Sequence, residues 1–377
     1  MSKEFTPTPV GAWLVIALTA IVGGGFAAYG WTAAPEQWYR SYLVAWLYWM
    51  SIAIGSLVLL LLHNLTGGAW GDAIRPVLQA AAGTIPLVAL LFMPIALGLD
   101  RIYPWAVPDN LLHDEVLRRK QAYLNPQFFM VRAGVYFALW IVLWSLTIWQ
   151  TRHEVPAEGD TARRIGLLSG QGLVLHTFAI TFAAIDWGMS LEPHWFSSIY
   201  GVLFAITQGL AALAFAIVIV TAGPRWKLLS QTTLPDQLHD LGKLLLMFVM
   251  MWAYMQFVQF LIIWYANVPE EVTWYLHRTR HGWQWVAIAL ALLQFVVPFF
   301  LLLGRQTKRN GIMLAGIAGW LLLMQWIGTV WLVEPAFHSQ RLVMPWLDLA
   351  LTATIGGLWC GMFLWQVRTL NARRFAI

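Results

Sequence analysis

The feature that most constrains this chain is a succession of apolar runs, each long enough to cross a bilayer. A hydrocarbon core of about 30 Å takes roughly 20 helical residues, and about ten runs meet that length. They lie near 11–31, 41–62, 73–98, 127–149, 165–187, 196–222, 240–266, 283–303, 310–333 and 346–367. Because lipid offers the backbone no hydrogen-bond partner, runs of this length must be helices. The fold class expected is all-α, a polytopic membrane protein occupying residues 1–377 as one domain. Two four-helix bundles, about 41–187 and 196–333, are expected, with flanking helices at about 11–31 and 346–367.

Composition agrees. Hydrophobic residues make up 59% and charged residues only 11% of the chain, against about a quarter charged in soluble proteins. The 24 tryptophans suit a chain with two membrane–water interfaces to line. Basic residues are scattered at helix ends rather than gathered in a patch, so nucleic acid is not an expected partner, whereas lipid is. The first run lacks a basic leader segment, since Lys3 is offset by Glu4, and it reads as an uncleaved anchor.

Lys and Arg are denser on the side that carries the N-terminus. That side collects fourteen, Lys3, Arg75, Arg152, Arg163, Arg164, Arg225, Lys227, Lys243, Arg305, Lys308, Arg309, Arg368, Arg373 and Arg374; opposite stand nine, Arg40, Arg278, Arg280 and Arg341 with Arg101, Arg118, Arg119, Lys120 and Arg132. Both termini are therefore expected in the cytoplasm, and the turn at Asp186–Ser197 on the outer face.

That turn reads Asp186-Trp187-Gly188-Met189-Ser190-Leu191-Glu192-Pro193-His194-Trp195-Phe196-Ser197. It sets two acids and a histidine between two spans, where ionisable groups are rare without a role. Ser190 is placed to cap the sixth helix, and Glu192 would then sit at its positive N-terminus. Asp186 is harder to explain, because the end of the fifth helix repels a carboxylate. Its expected partners are Glu270, Glu271, His277 and Arg278 in the next outer turn, where an arginine would hold it charged. His277 and His281 are four apart, but Arg278 and Arg280 interleave with them, so no metal site is expected.

Three further features point to proton chemistry. His176, near the middle of the fifth span, is either a neutral imidazole bonded to a neighbouring helix or a proton relay. Asp240 and Lys243 are paired by spacing at the start of the seventh span. Lys243, Tyr254 and Tyr265, eleven apart, share one face of that span, while Gln256 and Gln259 face the other way. A helix polar on two faces is expected at the centre of the bundle. The proton-path candidates are thus His176, Asp186, Asp240, Lys243 and Tyr254; no catalytic residue is assigned.

The single cysteine, Cys360, excludes a Cys-ligated iron–sulfur cluster or a CxxCH haem site within this chain. No Walker loop, GxSxG or HExxH occurs, and no pair of interrupted spans of the transporter type is evident.

The hinge resembles that of the NrfD/polysulfide-reductase-like membrane subunits of alternative complex III. So do Trp252-Ala253-Tyr254-Met255-Gln256-Phe257 and Leu261-Ile262-Ile263-Trp264-Tyr265-Ala266-Asn267-Val268-Pro269-Glu270-Glu271. The resemblance runs from about Tyr42 to Val367 and is to the second of the two such subunits; Glu192 stands where an aspartate is frequent. It implies a bacterial inner-membrane subunit of a quinol:cytochrome c oxidoreductase, not catalytic alone. It also implies iron–sulfur and haem c partner subunits and a paralogous membrane subunit. No cofactor would be bound by this chain, with quinone or quinol as a conceivable ligand. Three roles stay open at this stage: proton translocation, a quinone site of its own, and a structural anchor whose hinges dock the redox subunits.

Overall fold

The computed structural model describes residues 10–153, 160–223 and 233–374. Lys3, Arg225 and Lys227 of the charge comparison lie outside them. Among the described residues there is no strand, and ten helices are long and apolar enough to cross a membrane. The chain is a multi-pass membrane protein. The spans are α1 (Val10–Ala33), α2 (Pro35–Thr66), α3 (Ala69–Leu97), α4 (Pro126–His153), α5 (Asp160–Trp187), α6 (Tyr200–Ala222), α7 (Pro235–Ala266), α8 (Trp283–Leu303), α9 (Gly311–Val333) and α10 (Trp346–Arg374).

Local chemistry sets the boundaries. Pro35, Pro126 and Pro235 open α2, α4 and α7, where a missing N–H costs nothing. Asn310 caps α9, its Oδ1 accepting from the amides of Ile312 at 3.0 Å and Met313 at 3.2 Å. Asn267, left-handed at φ 49°, stops α7, and Pro269 starts the short helix Pro269–Thr279.

The spans pack around α2 and α6. Helix α2 touches α3, α4, α5, α6, α9 and α10; α6 touches α2, α5, α7 and α9. Helices α2 to α5 are termed here the first helix group and α6 to α9 the second; α2 packs most fully on α6, across the two, while α1 lies on α10. Gly55 makes that seam possible, since a Cβ there would stand 2.1 Å from the Gln208 carbonyl oxygen of α6.

Two spans are irregular. Helix α3 breaks at Gly83-Thr84 and again at Leu91-Phe92, with Pro86 and Pro94 each opening the next piece. The freed carbonyls find side chains: Gly83 accepts from Gln366 at 2.9 Å, Val88 from Trp46 at 2.9 Å and Leu91 from Tyr42 at 2.8 Å. Buried side chains thus replace the missing helical bonds. Helix α8 carries a π-helical segment, Ala291–Val296. Pro298 cannot donate to the carbonyl four residues earlier, and Trp320 Nε1 donates to Leu293 O at 2.8 Å. These irregular spans stand at different places in the two groups, unlike the matched interruptions of repeat transporters.

The turns after α1, α3, α5, α7 and α9 share one end of the molecule, termed here the hinge end.

Candidate functional site at the hinge end

Asp186 is fully buried, and its partner comes from α4 rather than from the turn after α7. Arg132 Nε donates to Asp186 Oδ2 and Arg132 Nη2 to Oδ1, both at 2.8 Å, a bidentate pair. Tyr136, one turn further along α4, donates to Oδ2 at 2.9 Å. The guanidinium also donates to Tyr123 O at 2.9 Å and lies 3.8 Å from the Tyr123 ring centroid. The expected partnership of Asp186 with Glu270, Glu271, His277 and Arg278 is therefore corrected. Arg132 sits in the interior rather than among the exposed outer charges, because only an interior arginine meets Asp186.

The acid that does meet the turn after α7 is Glu192. His277 Nδ1 stands 2.6 Å from Glu192 Oε1, and Arg278 Nη1 donates to Oε2. Arg278, 1% exposed, also donates to Trp274 O and to Leu332 O of α9, and lies 3.9 Å over the Trp274 ring. Trp274 in turn stacks on Trp195 at 4.7 Å. Burial alone would raise the Glu192 pKa, but Arg278 and His277 together outweigh it and hold the carboxyl below its ordinary range.

The roles expected for Ser190 and Glu192 at a helix start also change. Helix α6 begins only at Tyr200, and Ser190 Oγ donates to Asp186 O at 2.5 Å, within a short 3₁₀ turn. Residues 188–199 form a folded turn instead, with Arg132 holding Asp186 at the end of α5 and Arg278 holding Glu192 within the turn.

The long segment between α3 and α4 folds over this turn. His194 Nε2 pairs with Asp114 at 2.8 Å, and Lys120 Nζ donates to Pro193 O at 2.5 Å. Tyr103 donates to Trp187 O at 3.2 Å. Asp114 also caps the helix Glu115–Lys120. Between this segment and helix Pro269–Thr279 lies an open groove of about 750 Å³, lined among others by His113, Asp114, Glu192, His194, Glu270 and His277. Glu270 is exposed at its edge, and Glu271 is half-buried on the same helix.

A third acidic centre was not read from the sequence at all. Glu334 at the end of α9 and Asp348 in the first turn of α10 are 0% and 1% exposed, and Asp348 bears on Glu334. Gln37 Nε2 donates to Glu334 Oε1 at 3.1 Å and to Ser41 Oγ at 3.0 Å. Neither oxygen of Asp348 has a hydrogen bond of good geometry, although the Ser41 hydroxyl lies beside it. His338 Nε2 stands 2.9 Å from Gln37 Oε1, so it carries the proton. Burial, then Arg40 and Arg341, lower the His338 pKa. The signal available was acids and a histidine bordering the last two spans.

The proton-path candidates do not converge. His176 is buried, its Nδ1 accepts from Trp140 Nε1 at 3.1 Å, and its Nε2 has no partner among the described residues. That is the neutral imidazole bonded to a neighbouring helix. Between it and Asp186 stand the rings of Trp140 and Tyr136. Asp240 and Lys243 form the expected pair at 3.0 Å, but at the opposite end and about half exposed. Tyr254, 61% exposed, and Tyr265, 85% exposed, lie on the outer surface. Helix α7 is thus peripheral rather than central: Trp252, Gln256 and Gln259 line an interior cavity, while the face that carries Tyr254 and Tyr265 is exposed and suits lipid.

Neither family models nor curated proteins yield a match to this chain.

Proposed function

We propose that the chain is a membrane-embedded subunit of a quinol:cytochrome c oxidoreductase of the alternative complex III type, the second of its two NrfD/polysulfide-reductase-like subunits. In this reading it holds the iron–sulfur and haem c subunits, and its paralogue, against an inner membrane. Quinol oxidation belongs to the assembly rather than to this chain. The hinge end then faces the periplasm.

One observation carries the reading: two buried arginines, Arg132 and Arg278, anchor the two acids of one short turn, over which a long polar segment is clamped. Such a turn has the rigidity expected of a docking platform, and the groove beside it is lined by three acids and three histidines, with Glu270 exposed at its edge. A passage for protons in the same subunit is supported by the Glu334–Asp348 pair, since buried acids in membrane helices mark ion pathways. A quinone site within the second helix group is not favoured. Its interior cavity measures about 50 Å³, against roughly 300–1,000 Å³ for ordinary ligand pockets.

The test is purification of the affinity-tagged chain from its native membrane in mild detergent. The reading predicts recovery with haem c and iron–sulfur subunits and with quinol:cytochrome c reductase activity.

A further inference from the structure

The interior of the second helix group holds a feature that the proposed docking role does not use. A cavity of about 50 Å³ lies between α2, α6, α7, α8 and α9. Four glutamines line it, Gln256 and Gln259 from α7, Gln294 from α8 and Gln325 from α9. Among the described residues no charged side chain lines it. Glutamine amides inside membrane helices are expensive unless each donor and acceptor is met.

Part of that need is met within the protein. With the Gln294 amide turned so that its oxygen faces donors, it accepts from Gln325 Nε2 at 2.7 Å and Trp252 Nε1 at 3.2 Å. Its nitrogen then donates to Met324 O at 3.3 Å. One amide so ties α7, α8 and α9 together, and it lies in the π-helical segment of α8. Gln259 accepts from Ser197 and donates to Tyr275, leading towards the hinge end. Gln256 lines the cavity and has no hydrogen-bond partner among the described residues. Tyr200 lines it too, and its buried hydroxyl is likewise without a partner.

We propose that this chamber is a binding site for a small cluster of water molecules. The volume admits about three to five waters at roughly 10–15 Å³ each, and the lining supplies the two to four polar partners each water needs. A bare cation is disfavoured because no carboxylate is present to balance it, and the volume is too small for an aromatic ring. The waters satisfy Gln256 and connect the glutamines of α7, α8 and α9 with the Ser197–Gln259–Tyr275 chain at the hinge end. This holds whether or not the chain belongs to a redox assembly.

Hydroxyl-radical footprinting by X-ray radiolysis of the full-length protein in detergent tests it, because buried residues beside bound water are oxidised and those in dry core are not. Trp252 in the chamber, 7% exposed, is compared with Trp46, 1% exposed and packed among Phe92, Phe137 and Trp187. The expected result is oxidation of Trp252 several-fold faster than of Trp46. A Cβ on Gly328 would meet only Gln294 and Leu290, both at 3.9 Å, so Gly328→Leu fills the chamber and should remove the difference. Gly316→Leu on the exposed face of the same helix should leave it unchanged. Wild-type Trp252 as protected as Trp46 would overturn the proposal, as would protection of Trp252 by an added quinone analogue. The wild-type comparison decides even if Gly328→Leu does not fold.

Discussion

Arg132 and Asp186 face each other through two parallel hydrogen bonds of 2.8 Å, in an interior where the carboxylate side chain is 1% exposed. A buried pair of this kind contributes little beyond an apolar pair of similar volume, but breaking one side leaves a charge with no counterpart. Arg132→Met should therefore lower stability by about 3–5 kcal/mol. The double variant Arg132→Met with Asp186→Leu should recover most of that loss. Thermal unfolding of the purified variants in detergent measures both; additive losses would mean that the pair is not coupled.

The other clamp gives a pH dependence with a definite sign. Glu192 has its pKa lowered in the folded protein from an ordinary 4.5, through Arg278 and His277 overcoming burial. A lowered carboxylate contributes stability that is complete above about pH 4.5 and is lost as pH falls through its folded value. The melting-temperature difference between wild type and Glu192→Gln should be constant from neutral pH down to that point, then shrink in more acidic buffer. A difference that widened on acidification would contradict the geometry.

Glu334 and Asp348 make the opposite case, since both are buried, Asp348 bears on Glu334, and among the described residues no arginine hydrogen-bonds either carboxylate. Asp348→Asn should raise the melting temperature at pH 7 to 8, because it removes a repulsion and keeps the shape. Differential scanning calorimetry across that range tests it, and a marked loss of stability would show that both carboxylates are needed.

Gly55 sets a steric limit. A methyl group there would lie 2.1 Å from the Gln208 backbone carbonyl, and backbone cannot swing aside as a flexible side chain does. Gly55→Ala should thus loosen the seam between α2 and α6, read as faster proteolysis and a lower melting temperature. Gly134→Ala, with open space around its Cβ, should change neither.

The ten spans were legible because membrane helices announce themselves by length and apolarity, and all ten lie close to the expected ranges. The hinge was also legible as an unusual stretch. What its acids touch was not. Arg132 sits 54 residues from Asp186, and nothing in the sequence separates an arginine aimed inward from one aimed at water. The proximity of Glu270–Arg278 to the hinge in topology was sound, but it brought Arg278 to Glu192 rather than to Asp186. Tyr254 and Gln256 were separated correctly by face, yet which face meets lipid depends on how α7 packs. Glu334 and Asp348 escaped notice because each alone looks like an ordinary helix-end acid.

The central claim is that the hinge end seats redox subunits. Its most direct measurement is haem c and iron–sulfur content of the complex recovered with the tagged chain, wild type against Thr273→Arg, which places a cation in the exposed groove wall and leaves the residues of both clamps unchanged. The account predicts redox subunits in full with wild type and their loss from Thr273→Arg, while that variant still inserts and purifies as a folded membrane protein. Recovery of the wild-type chain without any haem or iron–sulfur subunit would contradict it.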